Sequence, residues 1–192
     1  MADTNTVTNV SAGAPNPDGA IFRAPIGTTL PTDAATALGA AFVPLGFVSD
    51  EGLTNSKTLE TEAVKDWGGR DVLTLQTDKS DTFQFTSLEI LNIEVLKMVF
   101  GDANVSGTLA TGITVKGNAS ELSPAVYVID LALRDGAKKR IVIPNGSITE
   151  LGDVVYAKNS AAGYPVTIKA DTGGFENDSD TFKEYILRAS TT

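Results

Sequence analysis

Two stretches in the middle of the chain alternate apolar and polar positions: Val72-Leu73-Thr74-Leu75-Gln76-Thr77 and Thr82-Phe83-Gln84-Phe85-Thr86. Period-two alternation predicts two strands, with Asp78-Lys79-Ser80-Asp81 as the turn between them and Leu73, Leu75, Phe83 and Phe85 facing one core. The period then changes. Leu88, Leu91, Val95, Met98 and Val99 fall on one helical stripe, Thr86 and Glu89 form a T-x-x-E capping box, and Gly101 supplies a C-cap. This predicts a single helix over residues 87–100.

The remaining apolar runs are short, branched and aromatic, which favours strands. Residues 20–24 and 42–48 precede the alternating pair, and 112–116, 125–134, 138–143, 154–158, 164–170 and 182–188 follow the helix. Asp135-Gly136 between two of them is a type I′ hairpin signal. A set of about nine short strands with one helix predicts a mainly β protein, a β-sandwich whose helix covers an end or face. Residues 1–18 have almost no large apolar side chain and read as an extended N-terminal arm, leaving 19–192 as one domain. Residues 47–72 read as polar throughout, predicting a long inter-strand loop over 48–71 that carries the only tryptophan, Trp67. Loops longer than about 12–15 residues are uncommon in compact domains unless they have a function. Trp67, flanked by Asp66 and by Gly68-Gly69, has the character of a docking anchor, and the alternative is that it folds back onto its own core.

Composition removes whole classes of chemistry. The chain has neither cysteine nor histidine, so Cys/His zinc sites, thiol nucleophiles and Ser-His-Asp arrangements are excluded. A net charge of −9, from 15 Lys plus Arg against 24 Asp plus Glu, argues against gripping nucleic acid through its phosphates. Plain solubility is the favoured reading of that charge, which does not argue against a wall past which a polyanion slides. The N-terminus lacks a basic start and an apolar core of the secretory kind, and no run approaches the roughly 20 apolar residues of a membrane span, so a soluble, intracellular product is expected.

Local candidates for chemistry are sparse. The acidic stretch 171–180 offers oxygen ligands to a cation but occurs once and lacks EF-hand spacing, so a solvated loop is the better reading. Carboxylate pairs such as Glu60 with Glu62, or Asp178 with Asp180, are ordinary surface acids. Lys138-Lys139-Arg140 is the one dense basic run and reads as a solvated strand end or a partner for acids. Phe22, Tyr127, Tyr156, Tyr164, Phe175 and Tyr185 would make a carbohydrate platform only if several shared an exposed face. No catalytic residue, cofactor site or metal site is assigned.

Several strings then resemble one family. Gly19-Ala20-Ile21-Phe22-Arg23-Ala24-Pro25, Leu30-Pro31-Thr32-Asp33-Ala34, residues 47–52 with Leu53-Thr54, Lys65-Asp66-Trp67-Gly68-Gly69, and residues 99–105 resemble, in order, the major tail tube proteins of long-tailed, non-contractile bacteriophages, particularly those of actinobacteria. The resemblance implies a non-enzymatic virion protein that polymerises as stacked hexameric rings, made in the host cytoplasm and forming the conduit for DNA ejection. It implies a tape-measure protein and a tail terminator as partners, DNA passing through the lumen without specific binding, and no membrane. Self-assembly candidates are Asp50, Leu53, Asp66, Trp67, Gly68 and Gly69. The lumen wall is expected to use parts of 42–48, 72–77, 125–134 and 138–143, with a polar, net negative surface. A virion or cell-surface β-sandwich that binds carbohydrate is the alternative.

Overall fold

A computed structural model describes residues 7–16, 19–177 and 179–188. Nine antiparallel strands share one hydrogen-bonded sheet: β1 (Ala14–Pro15), β2 (Ile21–Ala24), β3 (Val43–Pro44), β4 (Thr54–Lys65), β5 (Asp71–Ser87), β8 (Ala125–Ala132), β9 (Lys138–Leu151), β10 (Tyr164–Ala170) and β11 (Lys183–Leu187). Helix α1 (Ile93–Phe100) follows β5, and β6 (Val105–Thr108) and β7 (Gly112–Val115) make a separate small hairpin. The order across the large sheet is β3-β2-β8-β9-β10-β5-β4, with β1 added to β8 and β11 added to β9.

Strand β9 makes this sheet a sandwich. Its first part pairs with β8 and β11, and from Gly146 onward it pairs with β10. At the change-over a bulge lies between the Ala125–Gly146 and Tyr127–Ile143 pairs, where Pro144 withholds a ladder N–H. The two halves enclose one core: Ile21, Tyr127, Ile129, Ile141 and Ile143 from one side, and Phe83, Phe85, Val166 and Ile168 from the other. Helix α1 adds Val95, Leu96, Met98 and Val99, and Phe100 meets Tyr164 edge-on at 5.9 Å. The opposite face of β2, β8 and β9 is also covered. Ala24, Val126, Val128 and Val142 pack with Phe42, Leu30, Leu38, Phe175 and Tyr185 in a second cluster.

The sequence expectation of a mainly β sandwich with one helix therefore holds, while four of its details are corrected. First, residues 48–71 are not a loop: Thr54–Lys65 is a strand paired along its whole length with β5, leaving a short turn at 66–70. Its polarity reflects exposure of both faces, not lack of structure. Second, 78–81 is not a turn, because Lys57, Thr58, Leu59 and Glu60 pair with Asp81, Ser80, Lys79 and Asp78 inside one 17-residue strand. Leu73 and Leu75 consequently lie outside the core, 53% and 48% exposed. Third, α1 starts at Ile93, with Asn92 as N-cap accepting from the Glu94 N–H at 3.0 Å. The expected box fails because Thr86 belongs to β5 and Glu89 is drawn elsewhere, accepting from the Phe47 N–H (3.1 Å) and Asn92 Nδ2 (2.9 Å). Leu91 is left 63% exposed. Fourth, 154–158 is irregular, and within 42–48 only Val43–Pro44 is strand.

Of the expected arm, Met1–Thr6, Pro17 and Asp18 lie outside the described residues. The rest is not wholly free: β1 pairs with β8, and the Arg134 N–H donates to Ser11 Oγ at 2.7 Å. The Asp135-Gly136 turn forms as expected, both residues having positive φ (58° and 71°).

Candidate assembly hairpin and open sheet face

The hairpin β4–β5 leaves the body part-way along. Phe83, Phe85 and Ser87 at the end of β5 are buried, whereas residues 71–79 and their partners in β4 are exposed on both faces. Leu59, Val64, Val72, Leu73 and Leu75 are thereby presented to solvent. The outer edge of β4 has no strand beside it among the described residues. At the root, Asn55 Oδ1 and Nδ2 and Asp81 Oδ1 are buried without a hydrogen-bond partner. Such groups cost about 1–3 kcal/mol each, so the root is poorly satisfied in a lone protomer.

The tip is built around Asp66. Its carboxylate accepts from the Arg70 N–H (2.8 Å) and Arg70 Nε (3.1 Å), its N–H donates to the Arg70 carbonyl (2.8 Å), and its carbonyl accepts from the Gly69 N–H (3.0 Å). Gly69 sits at φ 82°, a conformation that favours glycine. This rigid turn leaves the Trp67 indole fully exposed. Of the six candidate residues, the structure brings Asp66, Trp67, Gly68 and Gly69 together at the tip. Asp50 and Leu53 lie at the opposite end of β4, Asp50 exposed in the turn before it and Leu53 packed against the core.

Cross-strand register defines a face that the sequence reading missed. Thr54, Gln84, Thr167 and Glu150 form one row across β4, β5, β10 and β9, and Ser56, Thr82, Lys169 and Ser147 form the next. Toward the tip the rows continue as Thr58 with Ser80, Glu60 with Asp78, Glu62 with Leu75 and Val64 with Leu73. This open face is rich in hydroxyls, and the carboxylates of Glu60, Glu62, Asp78 and Glu150 outnumber the Lys169 ammonium, itself 3.5 Å from Asp171. Glu60 directly opposite Asp78 places like charges together, an arrangement with no benefit to the isolated fold. The available signal was the period-two Thr54, Ser56, Thr58, Glu60, Glu62 series, unread because none of its members is apolar.

Charges elsewhere fasten the body. Arg140, expected at a solvated strand end or beside acids, is buried: Nε and Nη2 donate to Asp130 (2.7 and 2.8 Å), and Nη1 donates to the carbonyls of Asp33 (3.0 Å) and Thr36 (2.8 Å). It thus pins the 33–36 turn over the second cluster. In that turn the Thr36 hydroxyl, then the N–H groups of Thr36 and Ala35, lower the Asp33 carboxyl to about 2. Arg23 holds Asp102 with two bonds (2.9 and 2.8 Å), depressing that carboxyl. Burial pushes the Tyr127 phenol up to about 12. Arg140, Asp130 and the 33–36 turn line a shallow cavity, with their charges paired to one another and to backbone carbonyls.

The aromatic platform does not form. Tyr127 and Tyr164 are buried, Phe22, Phe175 and Tyr185 pack on the second cluster, and Tyr156 is exposed with its hydroxyl beside that of Tyr164. Among the described residues no three His, Cys, Asp or Glu side chains gather as a metal site, and Asp178 of the acidic loop lies outside those residues. No helix among them is long and apolar enough to cross a membrane.

The family model for phage tail tube protein matches residues 5–183. The chain belongs to the phage tail tube protein family. Its role is therefore structural, as a component of a phage tail. No curated protein matches the chain significantly. Among solved structures, the anti-feeding prophage cap, a tube-terminating cap, is similar at 14% identity and TM-score 0.42, covering 98% of this chain and 100% of its own. The sheath-tube complex of an extracellular contractile injection system in its extended state is similar at 11% identity and TM-score 0.42, covering 97% and 100%.

Proposed function

We propose that this tail tube family member is the major tube subunit of a long-tailed, non-contractile phage, of an actinobacterial host by the resemblance of its strings. It assembles non-enzymatically in the host cytoplasm as stacked hexameric rings, with a tape-measure protein and tail terminator as partners. The observation that carries the assembly reading is the β4–β5 hairpin. It stands off the body with exposed apolar side chains on both strands, an unpaired edge and a preformed tip around Trp67. An isolated two-stranded hairpin is marginally stable in water, so one of this length gains by lying against other copies.

The lumen surface is the open face of β4, β5, β10 and β9, carrying Thr54, Ser56, Thr58, Glu60, Glu62, Thr82, Gln84 and Thr167. This replaces part of the expected wall. The strands in 125–134 and 138–143 are covered on both faces of the body and offer no open surface there. A hydroxyl-rich, acid-edged wall repels phosphates and gives a sliding duplex few attractive contacts. Electron microscopy of concentrated protein should show rings or tubes, and those tubes should not retain double-stranded DNA at physiological salt. A protein that stays monomeric at every concentration, or tubes that bind DNA in a salt-sensitive manner through their interior, would overturn the corresponding half of this reading.

A further inference from the structure

If the hairpin is an assembly arm, its tip needs a receptor, and the same chain carries a surface that fits. At the opposite end of β5 from Trp67, a groove of about 610 Å³ opens between residues 88–93 and the β6–β7 turn. Leu88, Ile90, Leu91, Leu109 and Ile113 line it, with Leu91 and Leu109 63% and 68% exposed. Both walls are fixed. Glu89 and Asn92 hold the first, and the second is tied by the Thr108 and Thr111 hydroxyls at 2.9 Å, with the Thr108 N–H donating to Thr111 Oγ1 at 3.1 Å. The groove is thus a preformed apolar slot left open because α1 begins too late to turn Leu91 inward.

Its one charged lining residue is Glu89, whose oxygens accept only from neutral donors, the Phe47 N–H and the Asn92 amide. The tip offers the complement: a fully exposed indole and, three residues on, the Arg70 guanidinium, 85% exposed and held by Asp66 alone. We infer that this groove receives the Trp67 tip of a second copy of the chain, the indole filling the slot and Arg70 facing Glu89. The inference rests on the hairpin being an assembly arm. The two surfaces cannot meet within one protomer, because 17 residues of paired β5 separate them, on the order of 50 Å at the usual rise per residue. Joining unlike surfaces, the contact is heterologous and repeats from copy to copy.

The absence of cysteine allows a direct test. Chains carrying Trp67→Cys are mixed with chains carrying Leu109→Cys, oxidised at the concentration used for assembly, and run on a non-reducing gel. Oxidation traps even transient contacts, so stable tubes are not required. A disulfide-linked dimer containing one chain of each kind, at least tenfold above either variant alone, is expected. Trp67→Ala and Leu109→Asp should each abolish tubes while leaving the circular dichroism melt unchanged. If Trp67→Ala abolishes tubes but Leu109→Asp does not, and no mixed dimer forms, the groove is not the receptor although the hairpin reading stands. If Leu109→Asp abolishes tubes without a mixed dimer, another segment such as residues 7–16 of a second copy fills the groove, and the inference fails. Tubes that survive Trp67→Ala overturn both the inference and the hairpin reading beneath it.

Discussion

Strand β8 and the distal half of β5 are written in similar residues and meet opposite fates. Ala125-Val126-Tyr127-Val128-Ile129 is buried on both faces, between the main core and the second cluster. Val72-Leu73-Thr74-Leu75 has branched and apolar side chains too, yet every one of them is exposed. Local propensity makes both segments strands. What separates them is cover: β8 lies inside the sheet with layers on either side, whereas distal β5 has only β4 beside it. A strand of the second kind is stable in pairing and unfinished in packing, and its missing layer has to come from another molecule.

The largest expected effect comes from placing the same charge in both. Val128→Asp puts a carboxylate with no partner into the second apolar cluster and should cost more than about 4 kcal/mol, enough to unfold or aggregate the protein. Leu73→Asp should change protomer stability by less than about 0.5 kcal/mol. Urea denaturation of the two variants measures the contrast, and equal destabilisation would mean that the hairpin packs onto its own body in solution.

A smaller contrast separates the ion pairs. Asp130→Ala strands the buried Arg140 guanidinium and should cost about 3–5 kcal/mol. Asp102→Ala removes a half-exposed partner of Arg23 and should cost about 1 kcal/mol or less. The Asp102 contribution has a definite pH sign. Arg23 holds the folded carboxyl below its ordinary value, so the stabilisation is present above the unfolded value of about 3.9 and fades as pH falls below it and through the folded value. The difference in denaturation midpoint between the Asp102→Ala variant and the parent protein should therefore be largest near pH 7 and shrink at pH 3.

What the sequence made legible follows the same division. Where a segment's own period decides its fate, the reading held: the strand at 164–170 has the expected bounds, Asp135-Gly136 turns, and Phe83 and Phe85 are inside. Where a distant residue decides, it did not. Glu89 leaves the helix start because Gly46, at φ 75° and with no room for a Cβ, brings the Phe47 N–H against its carboxylate. The hairpin was misread because a strand exposed on both faces has no apolar stripe to betray it. The acidic face was invisible for a further reason: register shifts between Glu60 and Thr61 and between Val64 and Lys65 decide which side chains lie together. The tip could be singled out from sequence, Trp67 being a large aromatic in a polar setting flanked by Asp66, Gly68 and Gly69.

The smallest expected effect on stability is also the sharpest test of the comparison. Replacing residues 59–79 with a two-residue Asn-Gly turn keeps the Thr58–Ser80 pair and everything between it and the body, including the buried Phe83 and Phe85. The excised segment contributes no buried side chain to either cluster, so the body loses only ladder hydrogen bonds that close within the segment itself. Its melting temperature should stay within about 2 °C of the parent, since a 1 kcal/mol change corresponds to roughly 2–4 °C at this size. Assembly should nevertheless disappear, because the exposed apolar strands, the acid-edged part of the open face and the Trp67 tip go together. A truncated protein that melts far lower would show that the hairpin supports the body, and one that still forms tubes would show that the other surfaces assemble without it.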